Sequence, residues 1–137
     1  MDRSLQQHIR DRAEGVCEYC RVPDEFDPLP YHMDHIIARK HHGPTEPDNL
    51  AWACFACNNQ KQSDISGIDQ EGDPNTPVRL FHPRRDDWQT HYRWNGAILV
   101  GLAAIGRVTV DVLSINLPHR VGFREFLIEE GVFPNAQ

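Results

Sequence analysis

The sequence predicts an α+β protein: a small cysteine-pinned core followed by a β-hairpin and two helices. Three observations carry that expectation. Four cysteines fall into two pairs, Cys17-Glu-Tyr-Cys20 and Cys54-Phe-Ala-Cys57. Two short strand-like runs lie between those pairs, separated by loops. Further on, Asn95-Gly96 joins two β-rich runs, and apolar residues at helical spacing follow. The chain's 137 residues suit one domain, or a motif core with one extension.

Taken in order, Leu5, Ile9 and Ala13 recur every four residues, which predicts a helix over 4–14 with Ser4 as its cap and Gly15 as its stop. The first cysteine pair follows, then a Pro-rich acidic loop over 23–30. Residues 31–38 read as a strand, 39–48 as a loop rich in His, Gly and Pro, and 49–53 as a second strand. A helix is expected to begin at Cys57 and run to 63. Residues 64–78, rich in Gly, Asp and Pro, read as an extended connection. Strands are expected over 88–94 and 97–102, turning at Asn95-Gly96. Trp88, Tyr92 and Trp94 would alternate on one strand face, as core packing of the hairpin. Val108, Val112 and Ile115 fit a helix, which Asn116-Leu-Pro118 breaks, and 120–130 forms another before Gly131. The division expected is 1–66 for the core and 67–137 for an extension packed on it.

Composition removes several classes. Hydrophobic residues are 39% and charged residues 25%, values of a folded soluble chain. The longest uncharged run, 94–106, is too short to span a bilayer. The first twenty residues are polar and offer no signal peptide, so a cytoplasmic protein is expected. Fourteen Lys and Arg against twenty Asp and Glu give a net charge of −6. That balance disfavours coating DNA through bulk charge. A nucleic-acid partner would have to be held by local patches or a bound metal.

In a chain of this kind two C-x-x-C pairs fit a tetrahedral zinc site better than disulfides. Each two-residue gap forms a tight knuckle that aims two thiolates. Between Cys20 and Cys54 lie 33 residues, more than a simple ribbon needs. Inside them sits Asp34-His35-Ile36-Ile37. Asn49 lies fourteen residues after His35, Asn58 nine after Asn49, and Lys61 three further on. These residue types suit phosphodiester cleavage. A carboxylate on a short strand can hold a divalent cation. An adjacent imidazole can take a proton from water. An amide oxygen on a facing helix can complete the cation's protein ligands.

At these residues the sequence resembles the zinc-knuckle subgroup of the HNH endonucleases. The motif Cys17-x-x-Cys20, Asp34-His35-Ile36, Asn49-Leu50, Cys54-x-x-Cys57-Asn58 and Lys61 carries the resemblance over about 13–63. The later segments around Gly67-Ile-Asp69, Leu80-Phe-His-Pro, Trp88 and Gly106-Arg107 resemble an extension found in one group of small prokaryotic HNH proteins. The resemblance implies a ββα-metal core and metal-dependent cleavage of DNA leaving a 5′-phosphate and a 3′-hydroxyl. It implies that Asp34 ligates the catalytic cation, His35 is the general base, Asn49 orients the loop and His35, and Asn58 is the second ligand. Many relatives have Pro where Ala38 stands and Gly-Gly where His42-Gly43 stands. Gln62 occupies the position where some members carry a third metal-binding His, so a two-residue site for magnesium or manganese is expected.

Lys61 reads either as a phosphate contact or as a solvated helix residue. Arg39 and Lys40 beside the loop, and Arg84-Arg85, are candidate phosphate contacts. His32 shares a strand face with Asp34 and His82 lies in the later segment, and neither is assigned a role. A homodimer or a protein partner is expected to supply part of the grip that a −6 chain lacks. The alternatives are a zinc-stabilised nucleic-acid-binding or adaptor module that has lost cleavage, and a zinc fold serving protein contacts alone.

Overall fold

The computed structural model describes residues 2–134. The chain divides into two compact units, Met1–Asp64 and Ile65–Gln137. The first opens on α1 (Arg3–Arg12). Asp2, rather than Ser4, caps it by accepting from the Ser4 and Leu5 amides. A carboxylate there also meets the positive end of the helix dipole. Beyond the helix, Glu14 and Gly15 both take positive φ and turn the chain into the first knuckle.

β1 (His32–His35) pairs antiparallel with β2 (Leu50–Ala53), setting Asp34 opposite Ala51 and His35 opposite Leu50. Both strands are shorter than the sequence suggests. α2 (Phe55–Lys61) begins two residues earlier than expected, because the Cys54 sulfur accepts from the Cys57 amide and serves as its cap. The helix ends at Lys61. Gln62, at φ 49°, leaves the helix and is exposed, so it does not continue the face that carries Asn58. Strand, strand and helix thus occur in order, with α1 on β2 and α2 on β1. The core is Ile9, Val22, Tyr31, Ile36, Leu50, Trp52 and the four cysteines. Asp24 binds this core to α1. It accepts from Arg10 at 2.7 and 3.0 Å and from the Trp52 indole at 3.1 Å.

The second unit begins with a two-residue ladder, β3 (Ser66–Gly67) with β4 (Val78–Arg79), inside the stretch expected to be an extended connection. Trp88 does not lie on a strand. It opens a one-turn helix, α3 (Trp88–His91), before β5 (Tyr92–Asn95). β5 and β6 (Ile98–Gly101) form the hairpin. Its two turn residues are Gly96 and Ala97, and positive φ falls on Gly96 alone, as a type II′ turn requires. Trp88, Tyr92, Trp94, Phe81 and Phe133 meet at centroid spacings of 5.1 to 5.9 Å, with all but the half-buried Trp94 in the core.

α4 (Ala104–Val112) packs on β6 and on the small ladder, and α5 (Pro118–Glu129) follows. Two arginines of α5 are buried against backbone carbonyls. Arg124 donates to Ala97 O and Ile115 O, and Arg120 to Leu113 O and Ser114 O. Asn116 pairs its amide with both backbone groups of Leu99, standing in for a strand at that edge. Among the described residues no helix is long and apolar enough to cross a membrane.

One ion pair of this unit makes stability depend on acid. Asp86 accepts from Arg79 at 2.7 and 2.8 Å and from the His82 amide at 2.8 Å, which draws its carboxyl down to about 2. The folded value lies below the unfolded one, so the stabilisation is present above about pH 4 and is lost as pH falls toward 2. Arg79 is half exposed, which discounts the contribution to about 1 kcal/mol. Asp86→Asn is expected to lower stability by that amount at pH 7 and to flatten the loss between pH 4 and 2. Urea midpoints across that range check it. Parallel acid limbs in the two proteins would contradict it.

Candidate metal and nucleic-acid site

The four sulfurs of Cys17, Cys20, Cys54 and Cys57 are buried and lie within 4.8 Å of one another. Cys20 Sγ is 3.7 Å from Cys54 Sγ. A disulfide would hold them at about 2.05 Å. Zinc–sulfur bonds of about 2.3 Å in a tetrahedron put neighbouring sulfurs about 3.8 Å apart. The cluster therefore fits zinc. Burial holds the Cys17 thiol well above its ordinary pKa, and bound zinc would reverse that by taking the thiolate.

Asp34 points inward from β1 and is 3% exposed. Its Oδ2 accepts from the Tyr19 hydroxyl at 2.7 Å and its Oδ1 from the Lys61 ammonium at 3.2 Å. Burial raises its carboxyl above the ordinary value, against the opposing pull of Lys61 and Tyr19. A carboxylate has about four acceptor positions, and two are used here. The acceptor positions left over are of the kind a hard cation uses.

Lys61 differs from both sequence readings. It is 1% exposed, and its ammonium also donates to His35 O at 3.0 Å. It faces Asp34 and not solvent, because a carboxylate buried this deeply needs a counter-charge. Asn58 lies three residues before Lys61 on α2 and so shares its face toward β1. It is half-buried. A carboxylate and a carboxamide on facing elements are the donors magnesium or manganese prefers.

His35 leaves β1 with its ring half-buried, and its Nε2 lies 2.8 Å from Thr45 Oγ1. Loss of solvent lowers its pKa below the ordinary histidine value. Arg39 and Lys61 add to that, and Asp34 opposes it. These surroundings favour the neutral ring. Arg39 stands exposed on a single 3-10 turn, Arg39–His41, just after the strand.

Asn49 is buried and staples the loop that returns from β1 to β2. Its Oδ1 accepts from the Ile37 amide at 2.9 Å, and its Nδ2 donates to Ile37 O and Pro44 O. Its contact with His35 is indirect. Fixing Pro44 sets the next residue, Thr45, which meets the imidazole. In the same loop a Cβ at Gly43 would run into Ile37 O, while His42 takes a left-handed φ of 71°. The first is a position where only glycine fits. The second shows His42 in a backbone conformation that glycine adopts more readily.

Tyr19 and Thr45 escaped the sequence reading. Neither belongs to the spaced motif, and each meets its partner only through folding, fifteen and ten residues away. Of the other histidines, His32 is exposed at the far end of β1. His82 lies in the second unit, where its Nδ1 accepts from the Arg84 amide.

Compared with known families, residues 17–64 match HNH, the HNH endonuclease family. No curated protein and no solved structure matches the chain. The match spans both knuckles, β1, β2 and α2. That family implies nuclease-type function on nucleic acid. Residues 17–64 thus match an HNH endonuclease domain, and the four clustered cysteines that frame them fit its zinc-knuckle subgroup.

Proposed function

We propose that the chain is a metal-dependent endonuclease that hydrolyses phosphodiester bonds in DNA. What supports this reading is the HNH match over residues 17–64, with Asp34 and His35 adjacent at the end of β1 and Asn58 on α2, the helix that packs on that strand. Asp34 and Asn58 would hold a magnesium or manganese ion, whose Lewis acidity stabilises charge on a phosphate oxygen and the leaving 3′ oxygen.

The chain's own residues do the rest. With Nε2 engaged by Thr45, Nδ1 is the imidazole nitrogen left to take a proton from the attacking water. That assignment requires Nε2 to carry the hydrogen and donate to Thr45 Oγ1. Asn49 keeps the loop, and through Thr45 the ring, in place. Arg39 is exposed beside the ring and supplies a phosphate contact. Since the net charge is −6, binding rests on local cations and weakens with salt.

Nicking of supercoiled plasmid tests the reading. Zinc-loaded protein is expected to nick with magnesium or manganese and to stop when the divalent cation is withdrawn. His35→Ala is expected to slow nicking about 10²- to 10⁴-fold, the usual contribution of a general base. A folded, zinc-loaded wild type that nicks DNA with neither cation would leave a binding or adaptor module as the better reading.

A further inference from the structure

The first knuckle does more than complete a zinc site, because both residues between its cysteines grip the hairpin. Glu18 holds β2: its amide donates to Trp52 O at 2.8 Å, and its Oε2 accepts from the Trp52 amide at 2.8 Å. Tyr19 holds β1. Its ring is buried and its hydroxyl donates to Asp34 Oδ2 at 2.7 Å. Cys17 and Cys20 flank this pair, so the backbone that aims Tyr19 is the backbone that zinc would fix. Lys61 engages the other Asp34 oxygen. Two donors on separate oxygens define the carboxylate plane. With only one of them, the carboxylate is free to rotate.

We infer that Tyr19 is a positioning residue that ties Asp34 to the zinc-fixed first knuckle and thereby sets the affinity of Asp34 for a divalent cation. The inference rests on Asp34 being a ligand, as proposed above. Partners behind a metal ligand commonly change affinity 10- to 100-fold when removed.

Manganese binding to the zinc-saturated protein, followed by the EPR signal of free manganese, tests it without reference to cleavage. The binding lost in Asp34→Asn defines the site. Tyr19→Phe is expected to keep about one zinc per chain and to bind manganese about tenfold more weakly. Tyr31→Phe is the comparison. It removes another buried tyrosine hydrogen bond near the knuckle, to Val22 O at 2.6 Å, without touching Asp34. It is expected to leave manganese affinity unchanged.

Equal affinity in Tyr19→Phe and wild type overturns the inference and leaves the nuclease reading intact. A wild type with no Asp34-dependent manganese binding removes both. If Tyr19→Phe fails to retain zinc, 3-fluorotyrosine at position 19 supplies the test in a folded chain. Its ¹⁹F resonance is expected to move on magnesium titration in the wild type and to stay fixed in Asp34→Asn. A resonance indifferent to magnesium overturns the inference.

Discussion

Removing zinc is expected to unfold the first unit. Its regular elements are too short to stand alone. β1 and β2 have four residues each and α2 has seven, below the length at which isolated hairpins and helices persist in water. The cysteines are also structural joints. Cys54 caps α2 and Cys17 accepts from the Arg21 amide, while the residues between Cys17 and Cys20 grip both strands. Structural zinc contributes about 10–16 kcal/mol in small domains, more than a unit of this size holds in reserve. Chelation, or Cys17→Ser, is therefore expected to bring the amides of β1, β2 and α2 to unprotected hydrogen-exchange rates. Continued protection of those amides without zinc would contradict the account.

Replacing Lys61 by Ala is expected to cost about 3–5 kcal/mol in the zinc-loaded protein, because it leaves the Asp34 carboxylate buried without its counter-charge. Lys61 is 1% exposed and also holds His35 O, so water does not readily substitute for it. Lys61→Met keeps the bulk and is expected to lose a similar amount. Combining Lys61→Met with Asp34→Asn is expected to recover much of it, since the orphaned charge is gone. Urea denaturation of the two single variants and the double variant measures the coupling. A loss under about 1 kcal/mol for Lys61→Ala, the range of an exposed pair, would show that the two groups are solvated.

The cysteine pairs were legible in the sequence because each knuckle depends on local chain geometry, whereas the Asp34, His35, Asn49 and Asn58 positions could be named only through the motif that resembles the HNH endonucleases. The hairpin at Gly96 was legible from local geometry too, although the turn sits one residue later than the Asn-Gly pair suggests. What could not be read is long-range. The burial of Lys61 follows from Asp34 lying 27 residues earlier, and a lysine near a helix end otherwise reads as solvated. Trp88 fits an alternating strand pattern with Tyr92 and Trp94, yet Asp87 accepts from the Thr90 hydroxyl and closes a helical turn there. The Ser66–Gly67 ladder is two residues long, too short for any periodicity to announce. At the N-terminus the helix starts at Arg3, ahead of the expected Ser4 cap, so Asp2 takes that place.

The central claim is that Asp34 and Asn58 hold a divalent cation beside His35. Manganese soaked into crystals of the zinc-loaded protein, located by its anomalous scattering, tests it most directly. The account expects a peak bonded to a carboxylate oxygen of Asp34 and to the Asn58 side chain, with metal–oxygen distances of about 2.0–2.2 Å. It also expects a separate zinc peak among the four sulfurs. A manganese peak elsewhere, with none at Asp34, would contradict it.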